Sequence, residues 1–240
     1  HLDNALALNT DIRKYFNHHE QACAMAAEAY ARLSGKMAAV CVTSGPGATN
    51  TITGVMGAWQ DSLPMIVLSG QVRYEISVPK SGLPLRYRGI QEFEIVPAVK
   101  NMTKYAVMIT DPLSIRREMC KAIHIAMDGR RGPVWLDIPQ DIQNAMVEEN
   151  ELYPAETIQK KRDKVNYEMM LRTLAEANRP CILAGSGIRS GDVMEEFLEF
   201  VDRMGIPVIG GAWVADNLYM EHPLYFGPSG NIGPRTGNFI

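Results

Sequence analysis

Residues 38–50 read AAVCVTSGPGATN. An apolar run without polar alternation, Ala38–Thr43, breaks into the turn Ser44-Gly45-Pro46-Gly47 and then into a helical pattern over Asn50–Trp59. A run that is apolar at consecutive positions fits a strand buried on both faces, as inside a parallel sheet covered by helices. The same order recurs outward from this stretch. Met65–Leu68 (MIVL) leads into Ser69-Gly70, and Val134–Ile138 (VWLDI) into Pro139-Gln140-Asp141. Further on, Cys181–Ala184 (CILA) leads into Gly185-Ser186-Gly187, and Pro207–Ile209 into Gly210-Gly211. Between these runs the sequence predicts helices over Gln21–Leu33, Asn50–Trp59, Ser114–Met127, Glu168–Ala177 and Asp192–Met204. Strands alternating with helices at this spacing give the fold class: α/β, a parallel sheet with helices on both faces.

Residues 147–164 (VEENELYPAETIQKKRDK) are charged, contain Pro154 and lack an apolar period, so they read as a surface linker. The chain then divides into a first domain over 1–150, a linker over 151–166 and a partial second α/β domain over 167–240. Two clear strands and two clear helices are too few to close that second domain. Residues 227–240, GPSGNIGPRTGNFI, stop mid-pattern, so the chain is expected to be a piece of a longer protein.

The 240 residues carry 24 Lys+Arg against 27 Asp+Glu, a formal net charge of −3, with 46% hydrophobic and 21% charged content. That balance is that of a soluble globular protein, and it argues against electrostatic nucleic-acid binding. No run of about 18 apolar residues predicts a membrane span. The opening HLDNALALNT lacks the basic start and apolar stretch of a secretory signal, so a cytoplasmic location is expected. Cys23, Cys41, Cys120 and Cys181 are scattered among apolar neighbours with no CxxC pair, which reads as buried, reduced thiols, with neither a disulfide framework nor a metal cluster.

Three constellations could carry chemistry. In Asn17-His18-His19-Glu20-Gln21, Glu20 stands where a helix begins, so its carboxylate could serve only as a cap, and the pattern is not the HExxH of a zinc protease. In Ser44–Asn50 the glycines let backbone approach a ligand and a helix start faces it. As a dinucleotide fingerprint it is poor, because Asn50 ends it and Ser69-Gly70-Gln71 places no acid at the end of the next strand; it also lacks the GK[ST] of a P-loop. Gly185-Ser186-Gly187 is a weak GxG, either a tight turn or a ligand contact. A non-catalytic nucleotide-binding domain and a degenerate regulatory subunit are the readings from other functional classes.

Read together, HHEQACAMAAEAYARLSGK, VTSGPGATNTITGVMGAWQDSLPMIVLSGQV, GIQEFEIV, TKYAV and GRRGPVWLDIPQDIQ form an ordered set. Across nearly all of residues 1–148 this set resembles the pyrimidine-binding domain of thiamine diphosphate enzymes, specifically the acetolactate synthase-like group. Residues 167–240 resemble the start of that group's central domain. The resemblance implies a decarboxylase or carboligase acting on a 2-oxo acid, with acetolactate synthesis the nearest reaction and a simple decarboxylase or another acceptor the alternative. It implies that Glu20 hydrogen-bonds N1′ of the cofactor's aminopyrimidine, so that the exocyclic imine can deprotonate the thiazolium C2. A dry site is expected to raise the pKa of Glu20. Gln91, in GIQEF, would lie near the reacting centre as a second catalytic residue, and Pro46 and Asn50 would lie beside the cofactor ring. Ile90 stands where the group commonly has Phe, and Arg73–Gly89 is longer than the group's pattern, with Arg73, Lys80, Arg86 and Arg88 in it. Lys104 would line the path by which substrate enters, a solvated lysine being the alternative.

The group holds its diphosphate through Mg²⁺ on a C-terminal GDG…N motif that does not occur in this sequence, and the family's first strand would precede His1. The resemblance therefore implies a homodimer or homotetramer with the active site between subunits, and a piece that neither binds the cofactor tightly nor turns over by itself. FAD stays open: Arg130, Gly185 and Gly187 match parts of a flavin site, while residues 211–213 and 230–233 depart from it.

Overall fold

The computed structural model describes residues 1–156, 165–211, 221–230 and 235. The chain forms two units, His1–Gln159 and Lys160–Ile240. The first runs α1 (Leu2–Leu8), α2 (Glu20–Ser34), β1 (Ala38–Val42), α3 (Pro46–Asn50), α4 (Ile52–Gln60), β2 (Met65–Gln71), α5 (Val78–Ser81), α6 (Ile95–Val99), β3 (Tyr105–Met108), α7 (Ile115–Met127), β4 (Pro133–Pro139) and α8 (Gln140–Gln143). Its sheet is wholly parallel, in the order β1-β2-β4-β3. Register places Val40, Val67, Trp135 and Ala106 in one row across all four strands. That row packs with Ala27, Ala48, Val55, Ala58 and Val99 on one face. The intervening Ile66, Val134 and Leu136 pack with Ala122 and Ala126 of α7 on the other. Both faces are covered, which is why these strands are apolar at consecutive positions.

The Ala-rich sequence of α2 has a packing reason. Ala24, Ala27 and Ala31 are buried, and Gly35 closes the helix in the left-handed conformation, φ +67°. A Cβ on Gly54 of α4 would lie 2.6 Å from the Ala24 Cβ and 2.7 Å from its carbonyl carbon, so the backbone of α4 packs directly on the Ala24 methyl of α2. The helix expected over Asn50–Trp59 starts earlier, at Pro46, whose missing N–H costs nothing in a first turn. It is interrupted at the buried Thr51, whose hydroxyl donates to the Ala48 carbonyl at 2.7 Å.

The second unit contains α9 (Tyr167–Glu176), β5 (Ile182–Ala184), α10 (Gly187–Ser190), α11 (Met194–Met204), β6 (Val208–Gly210) and β7 (Tyr225–Pro228), with a parallel sheet in the order β5-β6-β7. Ala184, Val201 and Val208 form its core. Strands β3 and β7 were not expected from the sequence; both are short edge strands of half-buried or exposed residues, β3 within the apolar run YAVMI (105–109) and β7 interrupted by Gly227 and Pro228. The cysteine reading needs correction: Cys23 and Cys41 are half-buried, and Cys120 and Cys181 are exposed. On α7 the side facing the sheet belongs to Glu118, Ala122 and Ala126, and Cys120 falls off it. Among the described residues no helix is long and apolar enough to cross a membrane.

One polar group interrupts the sheet's interior. Asp137 is fully buried on β4; Ser69 Oγ donates to its Oδ1 at 2.5 Å and Gln71 Nε2 to its Oδ2 at 3.0 Å. Burial pushes the carboxyl up to about 6, against the pull of those two hydrogen bonds.

Two outcomes follow. Gly54→Val forces α2 from α4 and lowers stability by about 1–3 kcal/mol, read as a lower thermal midpoint. Because its pKa is raised, native Asp137 keeps a proton that the unfolded chain has released at about pH 4–6, so this group's contribution declines as pH rises through that window. Urea denaturation of the parent against Asp137→Asn across pH should show the parent losing roughly 1–3 kcal/mol relative to the variant between pH 4 and 7.

Candidate active site

In a parallel sheet ligands approach at the carboxyl ends of the strands, and there the turn after β1 meets the start of α2. His19 caps α2, its Nδ1 accepting from the Gln21 N–H at 3.1 Å, and Glu20 is the first helical residue. Asn50, at the end of α3, donates from Nδ2 to Glu20 Oε2 at 3.1 Å. Gly47 makes this possible. A Cβ there would stand 2.6 Å from Thr43 Cγ2 and 3.4 Å from Glu20 Oε1, so a glycine lets the first turn of α3 pack on Thr43 with the carboxylate in contact beside it. The Asn50 hydrogen bond, chiefly, holds Glu20 below the usual carboxylate range, with a backbone N–H helping and burial opposing. The expected upward shift is therefore corrected. In this chain Glu20 is only half-buried, and its desolvation is too small to overcome the donor beside it.

Gln91 reaches the same turn from another direction. Gly45 has φ +55°, and a Cβ on it would fall 2.1 Å from the Gln91 carbonyl oxygen. Gln91 itself is left-handed, φ +59°, a conformation disfavoured for a residue with a side chain and kept where the surroundings enforce it. Its neighbours do so. Glu92 accepts from the backbone N–H groups of Val78, Arg88 and Gly89 at 2.6, 2.7 and 2.8 Å. Burial pulls Glu92 upward, but these donors and the Arg88 charge hold its pKa below the ordinary value. On the other side, Gln71 Nε2 donates to the Phe93 carbonyl at 2.8 Å. The long loop is anchored at its start as well, where Asp141 accepts from the Tyr74 and Glu75 N–H groups at 2.8 and 3.2 Å. Arg73, Lys80, Arg86 and Arg88 are exposed on it.

Glu20, Pro46, Asn50 and Gln91 are thus brought together around one turn, Gly45–Asn50. A cavity of about 470 Å³ opens beside it, lined by Ser44, Gln71, Arg73, Ile90 and Gln140 among others, but not by Glu20 or Asn50. Lys104 is placed elsewhere. It precedes β3 at the amino end of the sheet, and its Nζ donates to the Asp128 carbonyl at 2.6 Å, with burial lowering its pKa. Arg130 is also at that end, its Nε donating to Ser62 Oγ at 2.7 Å. In the second unit Gly187 opens α10, and a Cβ on Gly185 or Gly187 would meet nothing within 4 Å. Residues 212–213 and 231–233, which bear on a flavin, lie outside the described residues. Among the described residues no group of three His, Cys, Asp or Glu side chains could hold a metal ion. The anchoring roles of Gln71, Glu92, Asp137 and Asp141 escaped the sequence reading, in which Gln71 counted only as a missing acid.

Residues 1–94 match the thiamine pyrophosphate enzyme N-terminal TPP binding domain, and residues 168–240 match the thiamine pyrophosphate enzyme central domain. The acetolactate synthase of Arthrospira platensis is 32% identical over 229 residues, covering 93% of this chain and 38% of the relative. The large subunit of the Corynebacterium glutamicum acetolactate synthase is 34% identical over 236 residues, covering 94% and 35%. The isozyme 2 large subunit of Escherichia coli is 32% identical over 221 residues, covering 92% and 39%. The chain thus spans little more than a third of these relatives' length. An enzyme from Mycobacterium smegmatis, described as thiamin diphosphate-dependent, shares the fold with a TM-score of 0.77 at 21% identity, covering 92% of this chain and 42% of its own.

A pair of substitutions separates crowding from backbone strain at the turn. Gly35→Ala meets open space and carries only the left-handed penalty of ~1–2 kcal/mol. Gly45→Ala adds the collision with the Gln91 carbonyl and should lose at least about 1–3 kcal/mol more in urea denaturation.

Proposed function

We propose, for a chain that belongs to the thiamine pyrophosphate enzymes and carries their N-terminal and central domains, that Glu20 is the carboxylate that engages the cofactor's aminopyrimidine in a 2-oxo acid decarboxylase or carboligase of the acetolactate synthase type. The observation that carries this reading is the Asn50–Glu20 hydrogen bond, which fixes Oε2 and leaves Oε1 facing the glycine turn. The exposed Pro46 offers a rigid apolar surface for a cofactor ring at that turn, while Gly45 and Gly47 let the turn pack closely on Gln91 and Thr43. Bound there, thiamine diphosphate supplies the nucleophilic carbon that adds to a 2-oxo acid and accepts the electron pair when CO₂ leaves.

The chain's own residues do the following. Glu20, ionised and held by Asn50, shares a proton at N1′ of the ring, and the cofactor's hydrogen bond adds to that of Asn50. Gln91, kept rigid by its left-handed backbone, presents its amide to the reacting carbonyl, and Ile90, 89% exposed, presents an apolar wall. Lys104 and Arg130 stay outside this cluster in the single chain; a role for Lys104 on the substrate's path requires a neighbouring subunit. The outer side of α2 and α4 supports such a neighbour. Leu33 is 81% exposed, and Met25 and Tyr30 of α2 and Met56 and Trp59 of α4 are exposed as well, apolar side chains on helices one of which begins at Glu20. A second copy would cover them and shield Glu20 from water. The diphosphate and its Mg²⁺ fall to a further domain. FAD is separated from a flavin-free enzyme by the absorbance spectrum of the purified full-length protein.

The second reading, a simple decarboxylase or a carboligase with another acceptor, is favoured by Ile90 and the extended basic loop. Product analysis with pyruvate decides between them: acetolactate supports the first, acetaldehyde the second. In the full-length protein Glu20→Gln should keep the fold by circular dichroism and lose at least about 100-fold in turnover, the size of one general acid–base contribution. Full activity in that variant removes the assignment.

A further inference from the structure

The sheet interior holds a chain of hydrogen bonds whose direction is set by its two ends. The Trp135 indole can only donate, and it donates to Ser69 Oγ at 2.8 Å. The Ser69 hydroxyl hydrogen must then point away, and it goes to Asp137 Oδ1 at 2.5 Å. An ionised Asp137 can only accept, so the Gln71 side chain turns its NH₂ toward Oδ2, at 3.0 Å. The second hydrogen of that NH₂ goes to the Phe93 carbonyl at 2.8 Å, and Oε1 accepts from the Val72 N–H at 3.0 Å. Ser69 and Asp137 are wholly buried and Gln71 is 6% exposed, so water does not compete for these groups. Every donor and acceptor of the Gln71 amide is matched, and a flipped amide would mismatch all three.

The geometry points to Gln71 and Asp137 as positioning residues for Gln91: the buried carboxylate orients the Gln71 amide, which fixes the Phe93 carbonyl and with it the left-handed Gln91 against Gly45. This rests on the reading of Gln91 as a residue of the active site. Glu92 secures the segment on its other side, through Val78, Arg88 and Gly89. Held from the sheet and from the loop, Gln91 keeps an unfavourable backbone that neither tie alone would enforce. Protonating Asp137 converts an acceptor into a donor and sets it against Ser69 or Gln71. Burial places that event near pH 6, and no charged side chain among the described residues acts on Asp137.

The test uses the full-length protein with thiamine diphosphate and Mg²⁺, pyruvate as the reaction probe, and the variants Gln71→Met, Asp137→Asn and Gln91→Ala. In Gln71→Met, amide exchange over residues 89–93 should rise about tenfold or more while α2 and β1 stay within about twofold of the parent. Turnover should fall about tenfold or more, with KM and the thiamine diphosphate Kd within about threefold. Asp137→Asn should loosen the same segment and remove an acid limb near pH 6 from the parent's turnover profile, and it carries the test if Gln71→Met does not fold. Unchanged exchange over 89–93 in both variants overturns the proposal whatever the substrate is. Raised exchange with unchanged turnover overturns it too. If Gln91→Ala also turns over normally, the failure is traced to the reading of Gln91 and not to the tie.

Discussion

The Asn50 amide donates to the Glu20 carboxylate at 3.1 Å, and that bond holds only while the start of α2 and the end of α3 stay within a side chain's length of each other. Nothing local to either helix guarantees this. Strand β1 delivers the turn, Gly47 lets that turn fold onto Thr43 beside the carboxylate, and Gly54 lets α4 lie close on α2. A larger residue at either glycine would move a helix by more than a hydrogen bond tolerates. The depressed pKa of Glu20 follows from that arrangement, for a fixed donor favours the ionised acid more than partial burial opposes it.

The same logic of fixed direction operates between the sheet and the loop beside it. Parallel strands buried on both faces leave little place for polar side chains, yet β2 and β4 carry Ser69, Gln71 and Asp137 near their carboxyl ends. Each is fully partnered, so their desolvation is offset and their orientations are unique. A core position is thereby joined to a surface segment without any covalent or ionic link.

The α/β class, most strands and the major helices were legible in the sequence, because buried parallel strands write themselves as short apolar runs ending in glycine. Strands β3 and β7 were not: β3 lies in a run, residues 105–109 (YAVMI), that is apolar throughout but was not separated from its surroundings, and β7 (YFGP) is short and broken by Gly227 and Pro228. At the site, Glu20 was ambiguous between a cap and a functional acid on local pattern alone, and it was the resemblance of the ordered blocks of the whole chain, not its own neighbours, that favoured the functional reading. Its protonation tendency was misjudged because the sequence does not show how much of it stays open to solvent. The roles of Gln71, Glu92 and Asp137 depend on partners far away in the chain. Ser69 and Asp137 are 68 positions apart, a distance at which no spacing rule operates.

Strand ends and loop ends here are tied by main-chain N–H groups, to Glu92 and Asp141, and those donors exist whatever side chain each position carries. The side chains of Arg73 and Arg86 are not part of these ties, while Lys80 adds a contact over the Tyr74 ring and Arg88 adds its charge beside Glu92. Because the main-chain donors do not depend on side-chain identity, the path of this segment is set by its backbone, and the chemistry it shows to solvent can change without redrawing that path.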